Sequence, residues 1–202
     1  MRHVLRPTTS TLLAGAALAA ALGCESPGRV LAPASAPDEV TLAAGADHGV
    51  AASATGGGHY LLQATFDVQF AFSAIQHASG KVMGRFHHSL ERPAGTIDFH
   101  GEVTCLAFDP ENHRAWIGGV ITRNTSTDPA FQLPLHQPGH DVWFRVVDYG
   151  EGGNATLPDR TTFIGFENTP GIPTSAFYCA TRPWPAGDER TWPVTAGNIQ
   201  VR

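Results

Sequence analysis

The chain has 202 residues, of which 42% are hydrophobic, 15% charged and 9% aromatic. Gly (22) and Pro (15) are abundant, which together with the sparse charge disfavours a helical bundle or coiled coil. The formal net charge is −5, Lys81 is the only lysine beside twelve arginines, and no basic run occurs, so nucleic acid has no electrostatic footing as a partner. The length suits one sizeable core rather than two large domains.

Arg2 and Arg6 precede Leu12 to Leu22, an uncharged apolar run of eleven residues. A bilayer crossing needs about 20, so the run reads as an export signal rather than a span. It ends in Ala21-Leu22-Gly23-Cys24, which resembles the lipobox of bacterial lipoproteins. The resemblance implies that 1–23 is a signal peptide and that Cys24 is lipidated. The mature protein is then expected at a bacterial membrane, facing the periplasm or the exterior. Cleavage near Ala19-Ala20-Ala21, or at Ala34-Ser35-Ala36, would instead release a soluble secreted protein.

Residues 24–57 read as a tether. From Glu25 to Gly57 there are nine Ala, five Gly, three Pro and three Ser, and no aromatic residue. Such a segment buries too little apolar surface to offset its ordering entropy. All eighteen aromatic residues lie between Tyr60 and Trp192, which sets the expected domain at 58–202.

Within the domain the period is two. Phe66, Val68, Phe70 and Phe72 alternate with smaller or polar residues. Ser79-Gly80 offers a turn into Val82, Gly84, Phe86 and His88. Ile97, Phe99, Gly101, Val103 and Cys105 form one face of the next strand, opposite Asp98, His100, Glu102 and Thr104. Further strands are expected at Ala115 to Thr122, Val142 to Val146, Thr161 to Phe166 and Asn198 to Arg202. Residues 124–139 and 168–194 are Pro-rich and read as long surface loops. The pattern predicts an all-β, antiparallel β-sandwich, with a jelly roll as the variant of the same class.

With Cys24 taken by lipid, Cys105 and Cys179 remain as an expected disulfide in an oxidising compartment. No nucleophile elbow, His-Glu-x-x-His or phosphate loop is present, so no catalytic residue is assigned. Gly150 to Ala155 fits a loose dinucleotide fingerprint but lacks the helix that must follow it. Asp148, Glu151, Asn154 and Asp159 instead place oxygen ligands around three glycines, as a structural calcium would require, and a solvated turn is the competing account. No other cofactor is expected. His87, Asp98 and His100 could hold zinc or copper if their strands pair in register, whereas His87 and His88 must point to opposite faces. His136 and His140 have helical ligand spacing, but Pro138-Gly139 between them forbids the helix.

Several stretches together resemble an uncharacterised group of exported bacterial β-rich proteins. They are Gly101 to Leu106, Ala115 to Gly119, Phe144 to Gly152, Pro158-Asp159 and Gly197 to Val201. The resemblance implies a β-domain in an envelope or secreted setting and transfers no catalytic residue. The expected function is a non-enzymatic binding or structural module of the cell envelope, facing a carbohydrate or an envelope protein. Its contact residues would be Trp184 and Trp192, in Pro-rich loop, with Trp143 as a third candidate. The alternative is a metal-dependent hydrolase or metal-handling protein built on zinc or copper.

Overall fold

Alternating large apolar and polar side chains build most of the strands, each with one face turned to the core. The computed structural model describes residues 49–151, 155, 157–185 and 188–202, so the signal peptide, Cys24 and residues 25–48 of the tether lie outside the described residues. The strands are β1 (Val50–Leu62), β2 (Phe66–His77), β3 (Val82–Arg92), β4 (Gly95–Asp109), β5 (Arg114–Asn124), β6 (Asp141–Val147), β7 (Arg160–Thr161), β8 (Gly165–Phe166) and β9 (Trp192–Val201). Among the described residues one α-helix, α1 (Ser175–Thr181), sits between β8 and β9, and two short 3-10 turns, Pro129–Phe131 and Pro134–His136, lie between β5 and β6.

All pairings are antiparallel, in the order β5-β4-β3-β2-β1-β9-β7-β6-β8. β5 also pairs with β6, from Arg114 opposite Val147 to Val120 opposite Asp141, so the sheet closes on itself. The fold is all-β and sandwich-like, its two layers being opposite halves of this one sheet. Phe144 of β6 packs across the interior against Phe72 of β2 (ring centroids 5.3 Å) and Phe86 of β3 (6.0 Å). Each such ring contributes about 1.5–3 kcal/mol through burial. His88 lies fully inside this core, between Phe70, Phe86 and Phe144.

β1 corrects the expected boundary at residue 58, because Val50 to Gly57, assigned above to the tether, are the first half of a strand. Small side chains suffice there, since β2 and β9 supply backbone partners on both sides. Ala54 is fully buried, and a Cβ at Gly56 would stand 2.8 Å from Phe72 Cε1. The bulk comes from the neighbours.

Two further differences shape the outer surface. The expected strand Thr161 to Phe166 is divided into β7 and β8, which pair with different ends of β6. The stretch 168–194 contains α1 and the start of β9, and it covers the outer face of β5 and β6 instead of projecting as a loop. Ile172, Tyr178 and Cys179 bury there against Ala107, Trp116 and Trp143, forming a second small core. Thr174 opens α1 by accepting a hydrogen bond from Phe177 N at 3.1 Å, and Arg182 ends it in a left-handed conformation (φ 46°).

The disulfide Cys105–Cys179 ties α1 to β4. Cys105 does not share the face of Val103. A bulge at Thr104 sets Val103 opposite Gly119 and Cys105 opposite Gly118, which turns the sulfur outward. Gly118 permits the approach, since a Cβ there would be 2.6 Å from Cys105 Sγ.

Candidate functional site

Strand parity on β6 puts Val142, Phe144 and Val146 into the main core and turns Trp143 and Arg145 outward. Both are buried beneath the 168–191 cover. Trp143 stacks with Tyr178 of α1 at 5.8 Å, and Tyr178 meets Trp184 at 6.4 Å. Trp116 anchors the chain after α1 by donating from Nε1 to Pro183 O at 2.9 Å. Trp192 enters from the start of β9 and stacks on Tyr60 at 6.2 Å. These elements leave a cavity of about 410 Å³, lined by Trp143, Phe163, Tyr178, Trp184, Arg190 and Trp192. Pockets of about 300–1,000 Å³ with aromatic walls and a few polar groups are typical of small-molecule sites.

The rim is conformationally costly. Trp184 has φ 55° and Arg190 φ 59°, a left-handed conformation that costs a bulky residue on the order of 1–3 kcal/mol. The two are held together, with the Arg190 guanidinium 4.1 Å above the Trp184 ring. Burial pushes the Tyr178 hydroxyl well above its ordinary range, so it stays protonated.

Both tryptophans singled out in the sequence therefore line one cavity, together with Trp143. Tyr178, Phe163 and Arg190 were not anticipated. The signal that could have found Tyr178 is the outward parity of Trp143, a large aromatic side chain that requires a cover.

The acidic stretch directs its carboxylates at protein donors. Asp148 accepts from Gly150 N (2.8 Å) and Val201 N (2.9 Å). Asp159, buried, accepts from Tyr149 N (2.9 Å) and Ile199 N (2.7 Å), and burial pushes its carboxyl upward against the pull of those two bonds. Glu151 meets Gln200 and Asn198 of β9. Asn154 lies outside the described residues. Asp148, Glu151 and Asp159 thus each hold a residue of β9.

His87 and His100 stand opposite each other on the paired strands β3 and β4, with stacked rings 4.1 Å apart. Both reach Asp98 Oδ1, His87 Nε2 at 3.0 Å and His100 Nε2 at 3.3 Å. Burial, followed by the neighbouring His87 and Arg123, lowers the His100 pKa, and Asp98 opposes this. Among the described residues these three form the one group of His, Cys, Asp or Glu atoms close enough to share an ion. His88 points the other way, into the core. His136 and His140 do not converge: His136 is buried against Phe131 and Phe166, while His140 Nδ1 pairs with Glu167 Oε2 at 3.0 Å.

No protein-family model matches the chain, and no curated protein or solved structure matches it significantly.

Proposed function

We propose that this protein is a non-enzymatic binding module of the bacterial cell envelope, exported and lipid-anchored through Cys24, whose aromatic cavity takes a mono- or disaccharide. The observation that carries the reading is that Trp184 and Trp192, at the two ends of one loop, line a single cavity with Trp143 of β6 and Tyr178 of α1. Indole rings offer broad, rigid faces for the C–H side of a sugar ring. Arg190, Thr162 and Thr169 on the same wall supply polar groups for its hydroxyls. A volume of about 410 Å³ favours a small ligand over a protein segment. Residues 25–48 would hold the domain off the membrane.

Two experiments test this. Binding of the full chain on a glycan array should identify a sugar whose affinity falls at least about tenfold in Trp184→Ala with the circular dichroism spectrum retained. No glycan above background, or a glycan bound equally by the variant, overturns the carbohydrate reading. Mass spectrometry of the membrane fraction should find the lipid on Cys24, and Cys24→Ser should leave that fraction. An unmodified Cys24 overturns the anchor.

A further inference from the structure

We propose that His87, Asp98 and His100 form a three-ligand site for a divalent transition metal, zinc foremost. The site shares no residue with the aromatic cavity, so it stands or falls separately. The register sets His87 opposite His100, and Asp98, two residues earlier on β4, projects to the same face. Two imidazole nitrogens therefore meet one carboxylate oxygen at 3.0 and 3.3 Å, with all three donor atoms within 4.8 Å. Ligands bonded to a tetrahedral zinc at about 2.0–2.2 Å lie roughly 3.3 Å from one another. Both imidazole-to-carboxylate distances are close to that spacing before any ion enters. Two imidazoles and a carboxylate suit zinc, copper, nickel or ferrous iron better than calcium or magnesium.

The surroundings hold the triad in place. Asp98 N donates to Ser126 Oγ at 2.9 Å, and Asp98 O accepts from Thr125 N at 3.0 Å, which fixes the backbone that carries the carboxylate. Beside His100, β5 carries a bulge at Thr122: Ile121 stands opposite Gly101 and Arg123 opposite His100. Bulges of this kind re-aim side chains and gather next to functional sites. Thr122 Oγ1 donates to His100 O at 3.2 Å, fixing the ring's own backbone. The three side chains are 31–38% exposed beside an open groove of about 670 Å³, walled by Ser73, Arg85, Glu102 and Arg123. An ion could enter from solvent and keep one coordination position for water or a ligand, the arrangement of exchangeable rather than closed structural sites.

Arg123 is the opposing feature. Its guanidinium lies against His100 Nε2, and it is exposed at the end of β5, so it must swing aside when a cation binds. Its removal should therefore strengthen binding.

The test is calorimetric titration of zinc into the full chain carrying Cys24→Ser, so that the thiol outside the disulfide takes no part. One zinc per chain is expected. Affinity should fall at least about tenfold in His87→Ala, His100→Ala and Asp98→Asn, rise in Arg123→Ala, and stay unchanged in His59→Ala. His59 is the control because it forms an exposed pair with Asp67 on the same protein. Cobalt(II) in place of zinc should show visible absorption of a four-coordinate nitrogen–oxygen site, lost in the same three variants. Substoichiometric zinc, or one zinc held equally well by the three variants with circular dichroism unchanged, overturns the site.

Discussion

Gly165 and Trp143 face each other across the β8–β6 pair, and a methyl group on the glycine would stand 2.4 Å from the indole Nε1. The indole is buried, with Tyr178 stacked against it. Gly165→Ala should therefore displace either β8 or Trp143. Overpacking of this kind costs about 1–3 kcal/mol, or roughly 3–10 °C of melting temperature. Because Trp143 lines the aromatic cavity, the same variant should weaken whatever binds there. Differential scanning calorimetry checks the first effect and a binding titration the second.

His88 makes stability depend on acid. Neither ring nitrogen meets a polar partner among the described residues, and burial, with His87 nearby, lowers its pKa to about 3. The imidazole is neutral in the fold, whereas in the unfolded chain it protonates below about 6.5. Between about pH 6.5 and pH 3 the unfolded state therefore binds the extra proton, and stability falls as pH falls. His100 and His136, also lowered, act in the same sense. His88→Leu, of similar volume, removes both the buried polar atoms and this proton. It should raise the urea midpoint at pH 5 more than at pH 7.5. An equal change at both would show that the ring is solvated in the fold.

The disulfide and the aromatic cavity are mechanically linked. Cys179 and Tyr178 are neighbours on α1, and Trp184 follows within one further turn of chain. Opening the 74-residue loop between Cys105 and Cys179 should cost about 4 kcal/mol on the chain-entropy model. Reduction should therefore lower the melting temperature sharply. Intrinsic tryptophan fluorescence should shift to the red before the main transition, as Trp143 and Trp184 lose their cover. A single transition with unchanged emission would show that α1 stays docked without the bond.

Asp159 clasps β9 to the segment that follows β6. It accepts backbone N–H groups from Tyr149 and Ile199 at a buried position, so Asp159→Ala leaves both without a partner. A loss of about 2 kcal/mol or more is expected in urea denaturation. Calcium should not move the wild-type melting temperature, because Asp148, Glu151 and Asp159 already serve donors on the protein. A calcium shift abolished by Asp148→Ala would reverse this assignment.

The strands with a strong alternating pattern were legible in the sequence, and so was the opposition of His87 to His88, because both follow from a period of two. β1 was not legible. Ala52, Ala54 and Gly56 carry little apolar signal of their own; Gly56 is defined by Phe72 and Ile199 across from it, and Ala54 by Ala74 and Val201. The face of Cys105 was misread because the bulge at Thr104 leaves no mark on residue order. α1 escaped because seven residues are too few for helical periodicity to show. Trp184 and Trp192 were visible as isolated aromatics in Pro-rich chain, but their convergence depends on how the 168–191 cover folds back. The meeting of His87, Asp98 and His100 depended on strand register, which turned out to be direct.

Closure of the sheet through β5 and β6 bears on how these molecules behave when crowded together. An open sheet ends in rows of unpaired backbone groups onto which a neighbour's strand can add, the usual first step towards fibrils. Here each strand of the ring has two partners, and β8, two residues long, is the one described strand with a single neighbour. Among the described residues only this two-residue edge is left for a neighbour's strand to add to, too short a template for copies to zip together edge to edge. They should remain colloidally independent at concentrations where an open sheet of the same composition would aggregate.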